Sequence, residues 1–255
     1  YVDRFEQDFA AYVGMGNAVA CVNGTAALHT ALILANVEQD DEVITQALTF
    51  VATCNAISYQ RAHPVFVDVD KDTMGMSPWA LENFLLENAK VQNQQCINKF
   101  TGRIIKACIP MHTFGHPAEI DTLATICNAW KLAVIEDAAE SLGSLFKDTH
   151  TGTFGLMGTL SFNGNKIITT SGGGALVTKN EDDKEKAIFL ATQARDNAPH
   201  YEHSEIGYNY RMPEIIGASL LEKIKYLKQD IQLRTKISKF YKKELNIKKF
   251  SKFDE

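Results

Sequence analysis

Segments of strand character alternate with segments of helical character along most of the chain, and this alternation limits the fold more than any other feature. Strands are predicted at 18–22, 41–46, 64–69, 103–112, 132–140, 159–163 and 174–178. Helices are predicted between them at 24–35, 49–60, 77–89 and 119–131. This order predicts an α/β fold with a mostly parallel, mixed central sheet between helices.

The remaining segments have a different character. Residues 88–102 are polar and without period, which predicts an irregular surface excursion. From about Asp182 the sequence turns helical, and apolar residues three or four apart between Leu221 and Phe240 predict one or two amphipathic helices. Because the first residue is Tyr1 rather than Met, we expect the chain to be a portion of a longer protein.

Composition narrows the class of partner. The 255 residues carry a net charge of −5, which disfavours nucleic acid or an anionic membrane as the main partner. No apolar run approaches the roughly 20 residues of a membrane helix. The five cysteines form no C-x-x-C pair, which predicts reduced thiols, no metal site and a cytoplasmic location.

Three chemistry-bearing features fall where predicted strands end, the usual place of the active cleft in a parallel sheet. Gly24 and Thr25 begin a helix directly after a strand, which predicts an anion site or a simple helix cap. Asp137 ends an apolar strand, where a carboxylate needs a cationic partner or a capping role. Lys166 lies between a polar strand end and three glycines, and is either a surface cation or a Schiff-base lysine.

Together the three features fit one cofactor. Pyridoxal 5′-phosphate (PLP) has a phosphate to be held, a pyridine nitrogen to be kept protonated and an aldehyde that a lysine captures. The anion site, Asp137 and Lys166 supply these needs in that order along the chain. The sequence therefore predicts a PLP site.

Five motifs carry a resemblance to a known family. "NGTAAL", "TFVAT", "EDAAESLGS", "SFNGNK" and "GYNYRM" resemble the DegT/StrS-type (DegT/DnrJ) sugar aminotransferases, which are PLP enzymes of fold type I. The resemblance implies a PLP-binding large domain at 1–220. It implies a helical connection at 221–255 towards a C-terminal small domain that is largely missing.

The resemblance also implies roles for individual residues. Lys166 matches the lysine that binds PLP covalently, Asp137 the partner of the pyridine nitrogen, and Phe50 the aromatic residue stacked on the ring. Glu140 falls near the phenolic oxygen of the cofactor, and Asn209 matches a residue that reaches the phosphate of a neighbouring subunit. The other cofactor residues are Gly24, Thr25, Ala26, Ser161 and Asn163, and Arg211 is expected near the substrate.

The resemblance implies the transfer of an amino group, with L-glutamate as the donor, to a nucleotide-linked 4-keto-6-deoxy sugar for bacterial surface glycans. The branch of bacillosamine and legionaminic-type pathways fits best. The implied assembly is a homodimer with shared active sites. One departure is Leu156 in "GLMG", where relatives often carry an aspartate.

Three alternatives stay open at this point. A PLP-dependent sugar dehydratase or lyase would share the fold, although a related dehydratase branch has histidine in place of the lysine found here at Lys166. A non-catalytic, ligand-binding or regulatory member would share the scaffold too. A dinucleotide-binding oxidoreductase is disfavoured because no G-x-G-x-x-G turn follows the first strand.

Overall fold

The computed structural model describes residues 1–245 and contains one large mixed sheet with helices on both faces. The helices are α1 Val2–Val13, α2 Gly24–Leu34, α3 Val51–Tyr59, α4 Pro78–Asn88, α5 Ile120–Ala129, α6 Glu181–Ala191 and α7 Glu214–Glu244. The first strands are β1 Asn17–Cys21, β2 Glu42–Gln46, β3 His63–Val67, β4 Ala89–Gln92, β5 Gln95–Asn98 and β6 Ile104–Ile109. The later strands are β7 Ala133–Asp137, β8 Leu145–Phe146, β9 Thr149–His150, β10 Met157–Ser161 and β11 Gly174–Thr178.

The main sheet has the strand order β1-β11-β10-β7-β6-β2-β3. The pairs β10–β7, β7–β6, β6–β2 and β2–β3 are parallel, whereas β11 runs antiparallel to both of its neighbours. Strands β1, β2, β6, β7 and β10 therefore point the same way and end at the same edge. The predicted mostly parallel, mixed sheet is confirmed.

Both faces of the sheet are buried, as expected when helices cover both sides. In β1, Ala18 and Ala20 pack into a core with α1 and α7, whereas Val19 and Cys21 face a second core beneath α2. This alternation follows from the two-residue repeat of a strand. A third core lies between the sheet and the helices α4 and α5.

The structure differs from the sequence-based expectation at residues 88–102. These residues form the antiparallel hairpin β4–β5, which pairs with the start of β6. Asn93 and Gln94 have φ values of 51° and 60°, the left-handed pair that a tight hairpin turn requires. The hairpin lies at the periphery and is largely exposed, so its polar strands lack the apolar alternation that would have revealed them.

Two further differences lie at the ends of the chain. Helix α1 was not predicted, although its residues Phe5 and Phe9 are fully buried. At the other end, residues 192–213 contain no helix, and α7 is a single helix of 31 residues. This helix crosses the predicted domain boundary at residue 220 without a break, and the predicted connection 221–255 lies partly outside the described residues, so the division remains a prediction.

No helix within residues 1–245 combines the length and the apolar character needed to cross a membrane.

Close packing at Gly158 in β10 provides a test of this architecture. A Cβ atom at this position would overlap the carbonyl oxygen of Gly152. We predict that Gly158→Ala lowers the free energy of unfolding by about 3 kcal/mol, because neither backbone segment can move away. The control is Gly16→Ala, whose Cβ would lie 3.6 Å from the carbonyl oxygen of Lys179, an ordinary contact. Equal urea midpoints for the two variants would contradict the predicted packing.

Candidate active site

A cavity of about 470 Å³ opens at the edge where the parallel strands end. Each wall comes from a residue that follows or ends a strand. Thr25 follows β1, Phe50 follows β2, Met111 follows β6, Asp137 ends β7 and Ser161 ends β10. Lys166 enters the same cavity from the loop between β10 and β11. The topology thus brings together residues that are as much as 141 positions apart, from Thr25 to Lys166.

Lys166 is the cation of this cavity. Its Nζ lies 3.1 Å from Oε1 of Glu140, and its side chain is only 11% exposed. The same Nζ lies 6.0 Å from the centre of the Phe50 ring. Because Phe50 is 64% exposed, its ring presents a flat apolar surface beside the amine. A half-enclosed amine next to an aromatic wall suits covalent capture of a carbonyl better than a surface role.

Asp137 is buried almost completely, with 3% of its surface exposed. Its Oδ2 accepts a hydrogen bond of 2.7 Å from the Thr53 hydroxyl, and its Oδ1 accepts one of 3.2 Å from the N–H of Ala139. Burial nevertheless raises the pKa of Asp137, although these two bonds and then the charge of Lys166 act in the opposite direction. Within the isolated chain the carboxylate is therefore short of positive partners, and a cationic ligand would relieve it.

Glu140 is held in place from its other side. Its Oε2 accepts a hydrogen bond of 3.0 Å from the N–H of Phe114, so the carboxylate bridges this turn and Lys166. The next residue, Gly115, has φ of 84°, and a Cβ there would lie 2.7 Å from the carbonyl oxygen of Glu140. Only glycine fits this close approach, which sets the position of Glu140 relative to the lysine.

The predicted anion site lies at the first turn of α2. Asn23 caps the helix, because its side chain accepts a hydrogen bond of 2.8 Å from the N–H of Ala26. That N–H therefore already has a partner, whereas Thr25 lines the cavity in the first turn of the helix, where an anion is favoured. Gly24 lies against Ser161, since a Cβ on Gly24 would be 2.9 Å from Cβ of Ser161. Asn163 also lines the cavity.

A buried network supports the strand that carries Asp137. The carboxylate of Glu136 accepts hydrogen bonds of 2.7, 2.7 and 2.8 Å from the N–H groups of Gly152, Phe154 and Gly155. It also lies 3.0 Å from Nε2 of His112, whose Nδ1 accepts from the N–H of Ala118. Because Nδ1 accepts, the proton of the ring lies on Nε2 and is donated to Glu136. The end of β7 is therefore fixed by bonds on the side away from the cavity.

Four predicted residues do not line this cavity. Ala26 and Glu140 each bond to a residue that does line it, Asn23 and Lys166 respectively, whereas Asn209 and Arg211 lie away from it. Asn209 is exposed and pairs with Thr192 in an isolated bridge. Arg211 forms ion pairs with Glu6 and Asp3 at the side of α1. The guanidinium of Arg211 is therefore ion-paired within this chain and does not contact Lys166.

Sequence reasoning missed three supporting residues. Thr53 lies three positions after Phe50 in the quoted motif "TFVAT", which puts both at the cavity end of α3. Asn23 precedes the glycine of "NGTAAL" and is a typical N-cap. His112 follows β6 at the strand end, and a buried histidine there could have been suspected. Among residues 1–245, no group of three or more His, Cys, Asp and Glu residues is arranged to hold a metal ion.

The fold and the site together define a class. A mixed sheet of this kind, with a lysine and a buried aspartate facing one cavity beyond its parallel strand ends, has the fold of the fold type I aminotransferases. The family model of the DegT/DnrJ/EryC1/StrS aminotransferase family matches residues 1–252. The chain belongs to this family, which confirms the predicted resemblance.

Curated relatives agree with this assignment. The chain is 46% identical over 244 residues to the "putative pyridoxal phosphate-dependent aminotransferase EpsN" of Bacillus subtilis, covering 96% of this chain and 60% of EpsN. It is 37% identical to the GDP-perosamine synthase of Escherichia coli O157:H7, covering 96% of this chain and 63% of the relative. The chain thus spans less than two thirds of the length of these relatives.

Solved structures show the same fold. A DegT/DnrJ/EryC1/StrS aminotransferase from Brucella abortus superposes with a TM-score of 0.86 at 30% identity, over 96% of this chain and 63% of that one. NtdA from Bacillus subtilis, solved with bound cofactor PMP, has a TM-score of 0.83 at 27% identity, over 96% of this chain and 52% of that one. At the level of the family, the predicted PLP-type cofactor is confirmed by these names.

The buried carboxylate gives a stability prediction. Because the folded-state pKa of Asp137 lies above its unfolded value of 3.8, the free energy of unfolding falls as the pH rises through the interval between them. Asp137→Asn removes this loss. We predict that the cofactor-free variant is about 1 kcal/mol more stable than the wild type at neutral pH, and that the difference shrinks towards pH 4.

Urea unfolding of the cofactor-free proteins at several pH values measures this difference. The amide can keep both contacts, since the Thr53 hydroxyl can accept from it and donate to Thr49, 2.9 Å away. Thr53→Val is the matched control, because it removes the hydroxyl that supports the carboxylate and is expected to destabilise the protein. If Asp137→Asn is less stable than the wild type at neutral pH, the charged carboxylate of Asp137 does not destabilise the cofactor-free protein, and the prediction is wrong.

Proposed function

We propose that the protein is a PLP-dependent aminotransferase that transfers an amino group to a nucleotide-linked keto sugar. The observation that carries the proposal is the convergence of Lys166, Asp137 and Phe50 on one cavity. The names of the relatives support the class, since EpsN is named an aminotransferase and another relative a GDP-perosamine synthase. Glutamate as the donor and a 4-keto-6-deoxy sugar as the acceptor follow from the resemblance.

The residues of the cavity fit PLP chemically. Thr25, at the start of α2, would hold the phosphate, and the exposed ring of Phe50 would stack on the pyridine. Asp137 would pair with a protonated ring nitrogen, which is the positive partner that this buried carboxylate lacks within the chain. PLP, when bound, supplies an aldehyde that an amine can capture and a ring that accepts an electron pair.

Lys166 is proposed to serve twice in this reaction. Its amine would capture the aldehyde of the cofactor with loss of water and, when free, would be a base in the cavity that can move a proton from the α-carbon of the donor. Glu140, whose carboxylate oxygen lies 3.1 Å from Nζ, keeps the free amine in the cavity and can stabilise its protonated form. Asp137, which lines the same cavity, would carry the negative charge that pairs with the protonated ring.

The site is proposed to be completed by a second copy of the chain. Asn209 lines none of the cavity that contains Lys166, yet it is exposed on a segment whose backbone is hydrogen-bonded to Leu190 and Ala191. An exposed amide at this position is suited to donating a hydrogen bond to a phosphate held by another subunit. A homodimer with shared sites accounts for this placement.

The absorption spectrum of the purified protein tests the reaction class. With PLP bound, we expect a visible band from the lysine–cofactor adduct, and glutamate should convert it to the band of the aminated cofactor. Lys166→Ala should lose the visible band and nearly all turnover, whereas the exposed Lys179→Ala should keep both. A visible band and turnover that survive in Lys166→Ala would rule out the proposed role.

Product analysis with and without glutamate separates this proposal from the dehydratase alternative. A transaminase consumes one glutamate for each aminated sugar, whereas a dehydratase eliminates water without a net transfer of nitrogen from glutamate to the sugar. A protein that binds PLP but converts no sugar nucleotide would instead support a non-catalytic member.

The shared site gives a separate prediction. Mixed dimers of Lys166→Ala and Asn209→Ala chains contain one site with both an intact lysine and an intact asparagine. Such hybrids should therefore recover part of the activity that each homodimer lacks. Activity is measured after the chains are mixed and the hybrids are separated by distinct affinity tags. No recovery in verified hybrids would argue against a contribution of Asn209 to the partner.

A further inference from the structure

A buried histidine outside the catalytic cavity lies at the centre of an aromatic cluster. His29 is on α2, next to the cavity residue Leu28, and only 3% of its surface is exposed. The rings of Tyr59, Tyr208 and Tyr210 surround it, with centroids at 5.5, 4.9 and 5.8 Å from the imidazole. The proposed reaction uses none of these side chains.

The hydrogen bonds of His29 fix its tautomer. The amide nitrogen of Gln60 lies 2.6 Å from Nε2, and because an amide nitrogen only donates, Nε2 must accept. The proton of the ring therefore lies on Nδ1 and is donated to the Tyr210 hydroxyl oxygen, 3.1 Å away. Burial lowers the pKa of His29 to about 4, which agrees with a neutral ring at physiological pH. Gln60, His29 and Tyr210 thus form a directed chain of hydrogen bonds.

The cluster determines which way Asn209 faces. Tyr208 and Tyr210 stack on each other at 4.9 Å with an angle of 17° between the rings, and both lie against His29. In an extended segment, alternate side chains point to opposite sides. Asn209, which lies between the two tyrosines, therefore points away from the cluster, and it is exposed.

Backbone bonds hold the same segment on both sides. Tyr208 and Tyr210 donate N–H groups to the carbonyl oxygens of Leu190 and Ala191, at 2.7 and 3.0 Å. The carbonyl oxygen of Tyr210 accepts from the N–H of Val22 at 2.7 Å, directly before the turn that begins α2. A change at His29 could therefore act on the chain's own anion site through α2, or on Asn209 through the tyrosines.

We propose that His29 is a positioning residue that, with Gln60, holds Tyr210 and so keeps Asn209 directed at the phosphate site of a second copy of the chain. The inference rests on the proposed function, because it assumes that Asn209 completes the site of the partner. It adds that the asparagine depends on a hydrogen-bonded imidazole in its own subunit. The effect of His29 is thus expected on the partner's site rather than on its own.

Hybrid dimers can separate these two effects. His29→Phe keeps an aromatic ring in the cluster but removes both nitrogens. In the first hybrid, a wild-type chain pairs with a chain that carries both Lys166→Ala and His29→Phe. In the second, a Lys166→Ala chain pairs with a chain that carries His29→Phe alone. Each hybrid has one intact lysine, so the visible band during titration with PLP reports the cofactor affinity of that one site.

The proposal predicts opposite results for the two hybrids. In the first, the remaining lysine site receives Asn209 from the altered chain, and PLP should bind about tenfold more weakly, as expected for one misplaced hydrogen bond to a charged group. In the second, the remaining site receives Asn209 from a chain with an intact His29. Its affinity should match that of a hybrid of Lys166→Ala with the wild type.

Weak binding in the second hybrid with normal binding in the first would overturn the proposal, because His29 would then act within its own subunit. Equal affinities in both hybrids, or a protein that forms no dimers, would overturn it as well.

Tyr210→Phe, which removes only the hydroxyl, serves as a second variant if His29→Phe does not fold, and the same pattern is expected. The proposed reaction itself fails only if Lys166→Ala retains the visible band, so the two failures are distinguishable.

Discussion

The burial of a carboxylate at the end of β7 is the constraint on which the site depends. Asp137 lies in a low-dielectric position where its charge is unfavourable, and its hydrogen bonds from Thr53 and Ala139 relieve this only in part. Burying such a carboxylate costs free energy in the folded protein, and a cation bound beside it lowers that cost. The stability lost in the cofactor-free protein is thus the counterpart of affinity for a protonated ring, a trade-off expected at functional sites.

The neighbouring carboxylate shows how the strand tolerates this arrangement. Glu136 points to the other side of β7 and is fully buried, but three N–H groups and His112 satisfy it. The two adjacent carboxylates therefore differ in how fully they are hydrogen-bonded. Glu136 has a full set of donors and anchors the strand, whereas Asp137 has fewer donors and faces the cavity. The anchor holds the β7 end against the turn 152–155, so Asp137 keeps its orientation without bonds of its own to that turn.

The sequence could predict the parts of the site that depend on local pattern. Alternation predicted the sheet, and the strand-end positions of Thr25, Asp137 and Lys166 predicted a common cavity, because parallel strands end at one edge. It could not predict which side chains lie outside the cavity. Arg211 is drawn away by Glu6, a contact across 205 positions that no local pattern records. The polar hairpin at β4–β5 was missed for a related reason, since an exposed edge needs no apolar period.

Helix α1, which no motif indicated, supports the loop that carries the lysine. Phe5 and Phe9 pack edge to face against Phe162, with ring centroids 5.6 and 5.5 Å apart, and all three are fully buried. Ile168, also buried, secures the loop on the other side of Lys166. The amine is thus held between two apolar anchors rather than by polar bonds to its backbone alone. Because such packing is insensitive to charge, the lysine can change its bonding partner while the loop that positions it stays in place.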